Sequence, residues 1–404
     1  MTTVTEPTPT PDPTPAPPPA AAHWTGAPGD SRWVAAARDL VPELADRAAE
    51  LDASGEFAHD GYDLLRAHRF LSMLVPTVLG GGGASFGETC AVLAELARGC
   101  PATSLALSMH QHLVAAQVWR HRRDLPAPVL ARVAEGELVL VSTGAADWMA
   151  SNGTARKVDG GWRISARKSP ASGAPTGDIL VTSIRWEDGP DGSGPQVLHL
   201  SVPFTAEGVS IEQTWDTMGM RATGSDTVVL DGVLVPEAAV ALARPADRWH
   251  PVWATVLGVA LPLIMATYVG VAEAAAEAAL AAAQPKAERA HVPGLAGRMG
   301  NRLTAARDTV RAMIEAADDL RFDNTLAVAS ASLTRKTLAT QAVTDVARLA
   351  LELGGGAAYQ RTSDIERLFR DAHAALYHPL PEAEQEVFSG RLALGLDPIT
   401  GEPL

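Results

Sequence analysis

Residues 160–181 read GGWRISARKSPASGAPTGDILV. Two short runs of β-formers, WRISA and the start of DILVTSIRW, flank a loop of small residues. Runs of that length bounded by turn formers predict paired antiparallel strands. The same rhythm continues on both sides, in ELVLVST, TARKV, QVLHLSVPF and DTVVLDGVLV, punctuated by VDGG, EDGPDGSGP and TGSD. A central β domain over 137–235, a barrel or sandwich, follows from this pattern.

Outward from that domain the period changes to that of helices. Residues 31–136 carry apolar side chains at helical spacing, from SRWVAAARDLVPELADRAAELDASGEFAHDGYDLLRAHRF onward. Gly80–Gly83 make a loop, and Phe86–Arg98 and Thr103–Trp119 read as two more helices with Pro101 at the break. From 236 to 404 the chain is again helical and Ala/Leu-rich, broken at Gly354–Gly356. Helices, then strands, then a helical bundle predict an α+β fold. Residues 1–30 are Thr/Pro-rich with no basic or apolar leader pattern, and are expected to be a disordered tail.

The 404 residues are 47% hydrophobic and 20% charged, with a net charge of −14. That balance argues against a nucleic-acid or anionic-membrane partner. The two cysteines, Cys90 and Cys100, give neither a metal spacing nor a disulfide framework, and point to the reducing cytoplasm. Trp249–Ala272 lacks Asp, Glu, Lys and Arg and is long enough to span a bilayer. It stands alone, is interrupted by Pro251 and Pro262, and runs into EAAAEAALAAAQ, so a buried bundle helix is the better reading.

Several residues could carry chemistry. Ser172 lies in RKSPASGAPTGD (167–178), where a hydroxyl beside glycine lets backbone and Oγ approach a flat ligand. On that stretch alone, a plain Ser-Gly turn is the better reading. Ser142 and Thr143 end a strand in VSTGAADW (141–148), and TWDTMGMRATGSD (214–226) is a third loop of small and polar residues. His110 has the apolar helical neighbours Ala106, Leu107, Leu113 and Val114; it is either a packed core histidine or a pocket-lining one. In DIERLFRDAHAALYHP (364–379), Glu366/Arg370 and Arg367/Asp371 are i,i+4 pairs, the usual mark of a charged helix face. His378 falls in phase with Asp371 two turns on, and Pro379 should end the helix there. A helix C-terminus favours imidazolium. Such a histidine could donate a proton near neutral pH, although a simple helix-terminal charge accounts for the spacing as well.

With these residues in view, the chain resembles the acyl-CoA dehydrogenase superfamily of flavoenzymes over about residues 35–404. The resemblance rests on LAELARGCPATSLALSMHQH, GGWRISARKSPASGAPTGDILV, MGMRATGSDTVVLDGVLVP and LGGGAAYQRTSDIERLFRDAH, which occur in the family's order. It implies a flavin between the β domain and the bundle, and a homotetramer. Ser172 then matches the hydroxyl that contacts flavin N5. Ser142 and Thr143 match the strand end on the pyrimidine edge. Gly355 and Gly356 match the glycines that approach a neighbouring subunit's cofactor.

Departures from the family pattern redirect the expected chemistry. Aligned on ERLFRDA, Thr362 stands where dehydrogenases carry the catalytic glutamate. The second family location for a base, near Ala260 and Leu261, also lacks a carboxylate, and QPKAERAHVPGLAGR lacks the usual FAD-phosphate grip. GGAAYQRTSDIERLFRDAHAALYH is similar to the two-component flavin monooxygenases of the same fold. That branch takes reduced flavin from a separate reductase, forms a C4a-hydroperoxide, and needs no carboxylate base.

The resemblance therefore implies an oxidoreductase using FAD or reduced FMN, with monooxygenation favoured over acyl-CoA or acyl-carrier-protein desaturation. Ser172 and His378 would be catalytic, with His378 as proton donor. His110 and Thr362 would line the pocket of a small-molecule or acyl-thioester substrate. The desaturase alternative would need a displaced base such as Asp364. A non-catalytic flavin- or acyl-binding relative is the third reading.

Overall fold

The computed structural model describes residues 24–143 and 149–404. Most of the expected Pro-rich tail, and residues 144–148 of the VSTGAADW loop, lie outside the described residues. The packed chain begins earlier than residue 31. Trp24 is buried, and its indole N–H donates to Glu273 at 3.0 Å.

Helices come first, and their ends follow local chemistry. Helix α1 (Arg32–Ser54) opens where the Ser31 hydroxyl accepts from Val34 N, and it closes on Gly55 at φ 74°. A short α2 (His59–Ala67) follows. Helix α3 (Phe86–Gly99) opens on a reciprocal capping box between Ser85 and Glu88. Helix α4 (Pro101–His121) starts with proline in its first turn, where the missing N–H costs nothing. Helix α5 (Val129–Gly136) hands the chain to the sheets.

Two four-stranded sheets form the middle of the described chain. One has the order β1 (Leu140–Ser142), β4 (Ile179–Trp186), β5 (Gln196–Pro203), β8 (Val240–Pro245). The other runs β2 (Thr154–Val158), β3 (Gly161–Ala171), β7 (Asp226–Pro236), β6 (Val209–Glu212). The sheets meet through Trp162 of β3 and Trp186 of β4, whose ring centroids are 4.7 Å apart. Two expectations need correcting. The pairing is not antiparallel throughout: β1 lies parallel to β4, with Leu140 beside Ile179, because α5 delivers the chain to that edge from the N-terminal helices. The last strand, β8, also falls beyond residue 235.

The C-terminal helices are α6 (Val252–Ala283), α7 (Val292–Ala316), α8 (Leu326–Gly354), α9 (Asp364–His373) and α10 (Glu382–Ala393). Helix α6 is long and apolar enough to cross a membrane, yet 94% of its most apolar window is buried in the fold. It packs against α3, α4, α7 and α8 at once, which explains its lack of charge. Pro262 does not interrupt it as the sequence suggested. A proline removes one helical hydrogen bond, and packing on several sides holds the helix through that gap. Gly270 lets α6 approach α3 closely, since a Cβ there would stand 2.2 Å from the Ala94 carbonyl oxygen.

Candidate active site

The charged face of α9 is not a solvated surface. Arg370 is only 9% exposed at its side chain and reaches Asp52 at the end of α1 with both terminal nitrogens, at 2.8 and 2.6 Å. Its Nε and second terminal nitrogen grip Glu366 at 2.7 and 2.9 Å, and it also donates to the Met218 carbonyl. Arg367 pairs with Asp364 at 2.9 Å rather than with Asp371. Asp371 is buried and accepts from Met220 N at 2.5 Å. Burial raises the Asp371 carboxyl to about 6, against the pull of that backbone donor and of Arg367.

Met220 connects α9 to the β domain. Its backbone is left-handed (φ 53°), an unusual state for a side chain of that size. Its carbonyl accepts from Trp215 Nε1 at 2.9 Å and from the Thr223 hydroxyl at 3.0 Å. Thr223 Oγ1 lies 2.7 Å from Ser225 Oγ, which lies 2.7 Å from Ser172 Oγ. A continuous hydrogen-bonded path thus runs from Ser172, just after β3, to Asp371 in α9. It joins two of the three polar loops picked out in the sequence. In the third, Ser142 and Thr143 are half-buried at the end of β1, and Thr143 Oγ1 contacts Thr182 Oγ1 of β4.

His378 follows α9. The helix gives way to a tighter turn over Ala374–Tyr377, and His378 itself is extended (ψ 146°), as Pro379 requires. Its Nε2 lies 2.8 Å from the hydroxyl of Tyr268 on α6, with the rings edge to face. Lys336 of α8 is buried alongside, and its Nζ donates to the Leu380 carbonyl at 3.2 Å. The helix terminus does not favour imidazolium here. Although the residue keeps some exposed surface, burial and then the Lys336 charge push the imidazole down to about 3. Both effects favour the neutral imidazole, so the proton His378 offers most readily is that of a neutral ring N–H. Burial likewise lowers Lys336 to about 8, partly offset by Glu382.

The remaining candidates divide. His110 is packed between helix and strand. It is 1% exposed, its Nε2 meets the Leu71 carbonyl at 2.8 Å, and its Nδ1 accepts from Leu140 N at 3.0 Å. That arrangement ties α4 to β1 and uses both ring nitrogens. Thr362 is exposed in the turn before α9, and Asp364 is exposed and paired with Arg367. Gly355 has φ 73°, and a Cβ at Gly355 or Gly356 would meet open space.

Sequence reasoning missed Tyr268, Lys336, Ser225, Thr223, Asp371's burial and His112. His112 sits one half-turn beyond His110, and burial lowers it to about 4. Its Nδ1 makes no well-formed hydrogen bond, although the Ser108 carbonyl one turn back acts on the ring. Among the described residues no cluster of His, Cys, Asp and Glu could hold a metal ion. The neutral hydroxyls at the ends of β1 and β3 are donors and acceptors of the kind a flavin ring needs.

Comparison with known proteins agrees with this geometry. Residues 31–137 match the acyl-CoA dehydrogenase N-terminal domain and residues 251–376 the C-terminal domain. The putative acyl-CoA dehydrogenase YdbM of Bacillus subtilis is 28% identical, over 86% of this chain and 93% of its own. The amino sugar nitrososynthase DnmZ of Streptomyces peucetius is also 28% identical, over 88% and 91%. The solved structure of KijD3 with FMN and a dTDP-linked 3-amino sugar superposes with a TM-score of 0.82 at 29% identity, covering 92% of this chain and 96% of that one.

Proposed function

We propose, from the premise that the chain belongs to the acyl-CoA dehydrogenase family, that it is a flavin-dependent monooxygenase rather than a desaturase. The observation that carries the reading is the Tyr268–His378 pair, a hydrogen-bonded polar couple set in an apolar helix bundle. Desaturation needs a carboxylate to take a proton from carbon. Thr362 cannot do so, Ala260 and Leu261 are buried apolar residues, and Asp364 is held at the surface by Arg367. The one buried carboxylate on α6, Glu273, is committed to Arg307 at 2.8 Å and to Trp24.

Reduced flavin supplies the two electrons that let dioxygen place one oxygen atom on the substrate and release the other as water. Ser172, Ser142 and Thr143 would hold the ring, with Ser225 and Thr223 orienting Ser172. His378 would offer a neutral N–H to the reacting oxygen, and the surrounding apolar side chains would keep water away. The KijD3 complex with FMN supports FMN as the cofactor. Reduced flavin would come from a separate reductase. DnmZ is named for action on an amino sugar and KijD3 binds one, which supports an amine nitrogen as the atom oxidised.

Self-association, as a homotetramer, belongs to the same reading. It is supported by the exposed Leu338, Tyr359, Tyr377, Val387 and Leu394 on the C-terminal helices and turns, and by the open glycines at 355 and 356. A cytoplasmic setting is supported by Cys90 and Cys100, both buried free thiols.

The deciding experiment mixes the purified protein with chemically reduced FMN, oxygen and a panel of amines. Oxygen uptake matched by an N-oxygenated product is the expected result. Anaerobic bleaching of bound oxidised flavin by an acyl-CoA would overturn the reading.

A further inference from the structure

The Tyr268–His378 contact fixes where the imidazole proton sits. Tyr268 is fully buried, and His378 Nε2, at 2.8 Å, is the only hydrogen-bond partner of its hydroxyl among the described residues. A phenol has one proton to donate, and a buried hydroxyl left without an acceptor is costly. Burial, reinforced by the nearby Asp371 carboxylate, holds the phenol's ionisation well above its ordinary range, so that proton stays on oxygen. It must therefore point at Nε2. A nitrogen that accepts a hydrogen bond cannot carry a hydrogen of its own, and a neutral imidazole carries one in total. The ring's proton is left on Nδ1.

The groups packed around the ring act in the same direction. The Lys336 ammonium on α8 disfavours a second proton on the imidazole. Its hydrogen bond to the Leu380 carbonyl anchors the chain two residues beyond His378. Asp371 on α9 is occupied by Met220 N, and Glu382 at the start of α10 acts on Lys336.

We infer that Tyr268 is a positioning residue that locks His378 in the Nδ1–H tautomer, so that Nδ1–H is the one donor the ring has for the reacting oxygen. This deepens the proposed function and rests on it for the identity of the oxygen. The tautomer itself does not depend on it. His378 then acts as a fixed hydrogen-bond donor whose proton is not lost, and no charge forms on the ring.

The test uses flavin-free full-length protein labelled with [15N]histidine, with His378→Gln identifying the His378 signals. The expected result is a protonated, pyrrole-type Nδ1 and an unprotonated, pyridine-type Nε2 in the wild type. Tyr268→Phe should convert these to an averaged pair shifted towards Nε2–H. A pyrrole-type Nε2 in the wild type, or shifts unchanged in Tyr268→Phe, would overturn the inference. The wild-type spectrum decides the matter even if the variant does not fold. With reduced FMN and oxygen, Tyr268→Phe should lower coupled product by roughly tenfold and raise released peroxide, with KM unchanged, the size expected for one lost orienting hydrogen bond. If the wild type forms no oxygenated product, the functional reading fails, while the tautomer is still read from the spectra.

Discussion

Arg370 and Asp52, 318 residues apart in the chain, form a two-pronged ion pair at 2.6 and 2.8 Å that joins the last turn of α9 to the end of α1. Both side chains are nearly enclosed, and Glu366 completes the grip on the guanidinium. The pair therefore acts as a clamp between the N-terminal helices and the bundle, next to the Met220–Asp371 link into the β domain.

Removing one partner of an enclosed pair strands the other charge. Arg370→Met should therefore destabilise the protein by about 3–5 kcal/mol, as a loss in thermal or urea midpoint. Arg370→Met combined with Asp52→Leu should recover part of that loss, since Asp52 is then no longer stranded and Glu366 keeps Arg361 at 3.0 Å. A cost of only a few tenths for Arg370→Met, typical of exposed helix pairs, would show that the clamp carries little.

Stability should fall as the medium is acidified from pH 6.5 towards 4. Burial holds His110 and His112 near 4 and His199 and His378 near 3, all below the value of about 6.5 for an unfolded histidine. For a base whose folded pKa is depressed, the unfolded chain binds the extra proton, so stability is complete above about 6.5 and is lost below it. His110 and His112, both fully enclosed, would each contribute roughly 3 kcal/mol to that loss. Asp371 and Glu273, whose pKa values are raised, oppose it. The melting temperature should drop between pH 7 and 5, and His110→Gln should flatten that drop.

Ser172→Ala should separate cofactor binding from stability. Ser225 keeps its contact with Thr223, so the folding cost should stay within about 1 kcal/mol. If the Ser172 hydroxyl contacts the flavin, the Kd for FMN should rise by about five- to tenfold, the weight of one hydrogen bond, as measured by fluorescence quenching. Equal FMN affinity in both proteins would remove Ser172 from the site.

What could be read from the sequence was local. Period-2 and period-3.6 patterns located the helices and strands, Pro101 marked a helix start, and Pro379 set the backbone of His378. The family resemblance added Ser172 and His378, residues whose own surroundings are ambiguous. The partners of those residues were not legible, because each comes from far along the chain. Tyr268 lies 110 residues before His378 in a helix whose composition reads as plain core. Ser225 is 53 residues from Ser172. The i,i+4 pattern of α9 suggested exposed pairs because helical spacing carries no information about what covers the helix. His110, packed or pocket-lining by its spacing, satisfies both nitrogens on backbone groups that no spacing could reveal.

Asp371 provides the most specific test of the junction between α9 and the β domain. Its carboxyl is raised to about 6 by burial, while an unfolded aspartate titrates near 3.9. The folded state thus holds on to the proton, and the stability this gives is present below about 3.9 and lost as pH rises through 6. Above pH 6 the chain keeps a buried charge, compensated only in part by Met220 N and Arg367, at a cost of up to roughly 3 kcal/mol. Asp371→Asn retains an oxygen for Met220 N and removes the charge. Relative to the wild type, its melting temperature should therefore improve steadily from pH 4.5 to pH 7. Asp371→Ala removes the acceptor as well and strands the Met220 amide, so it should be less stable than Asp371→Asn at every pH, by about 1–3 kcal/mol. A constant offset between Asp371→Asn and the wild type across that range would mean that Asp371 does not titrate within it. In that case the ion network around Arg367 would hold the carboxylate ionised throughout.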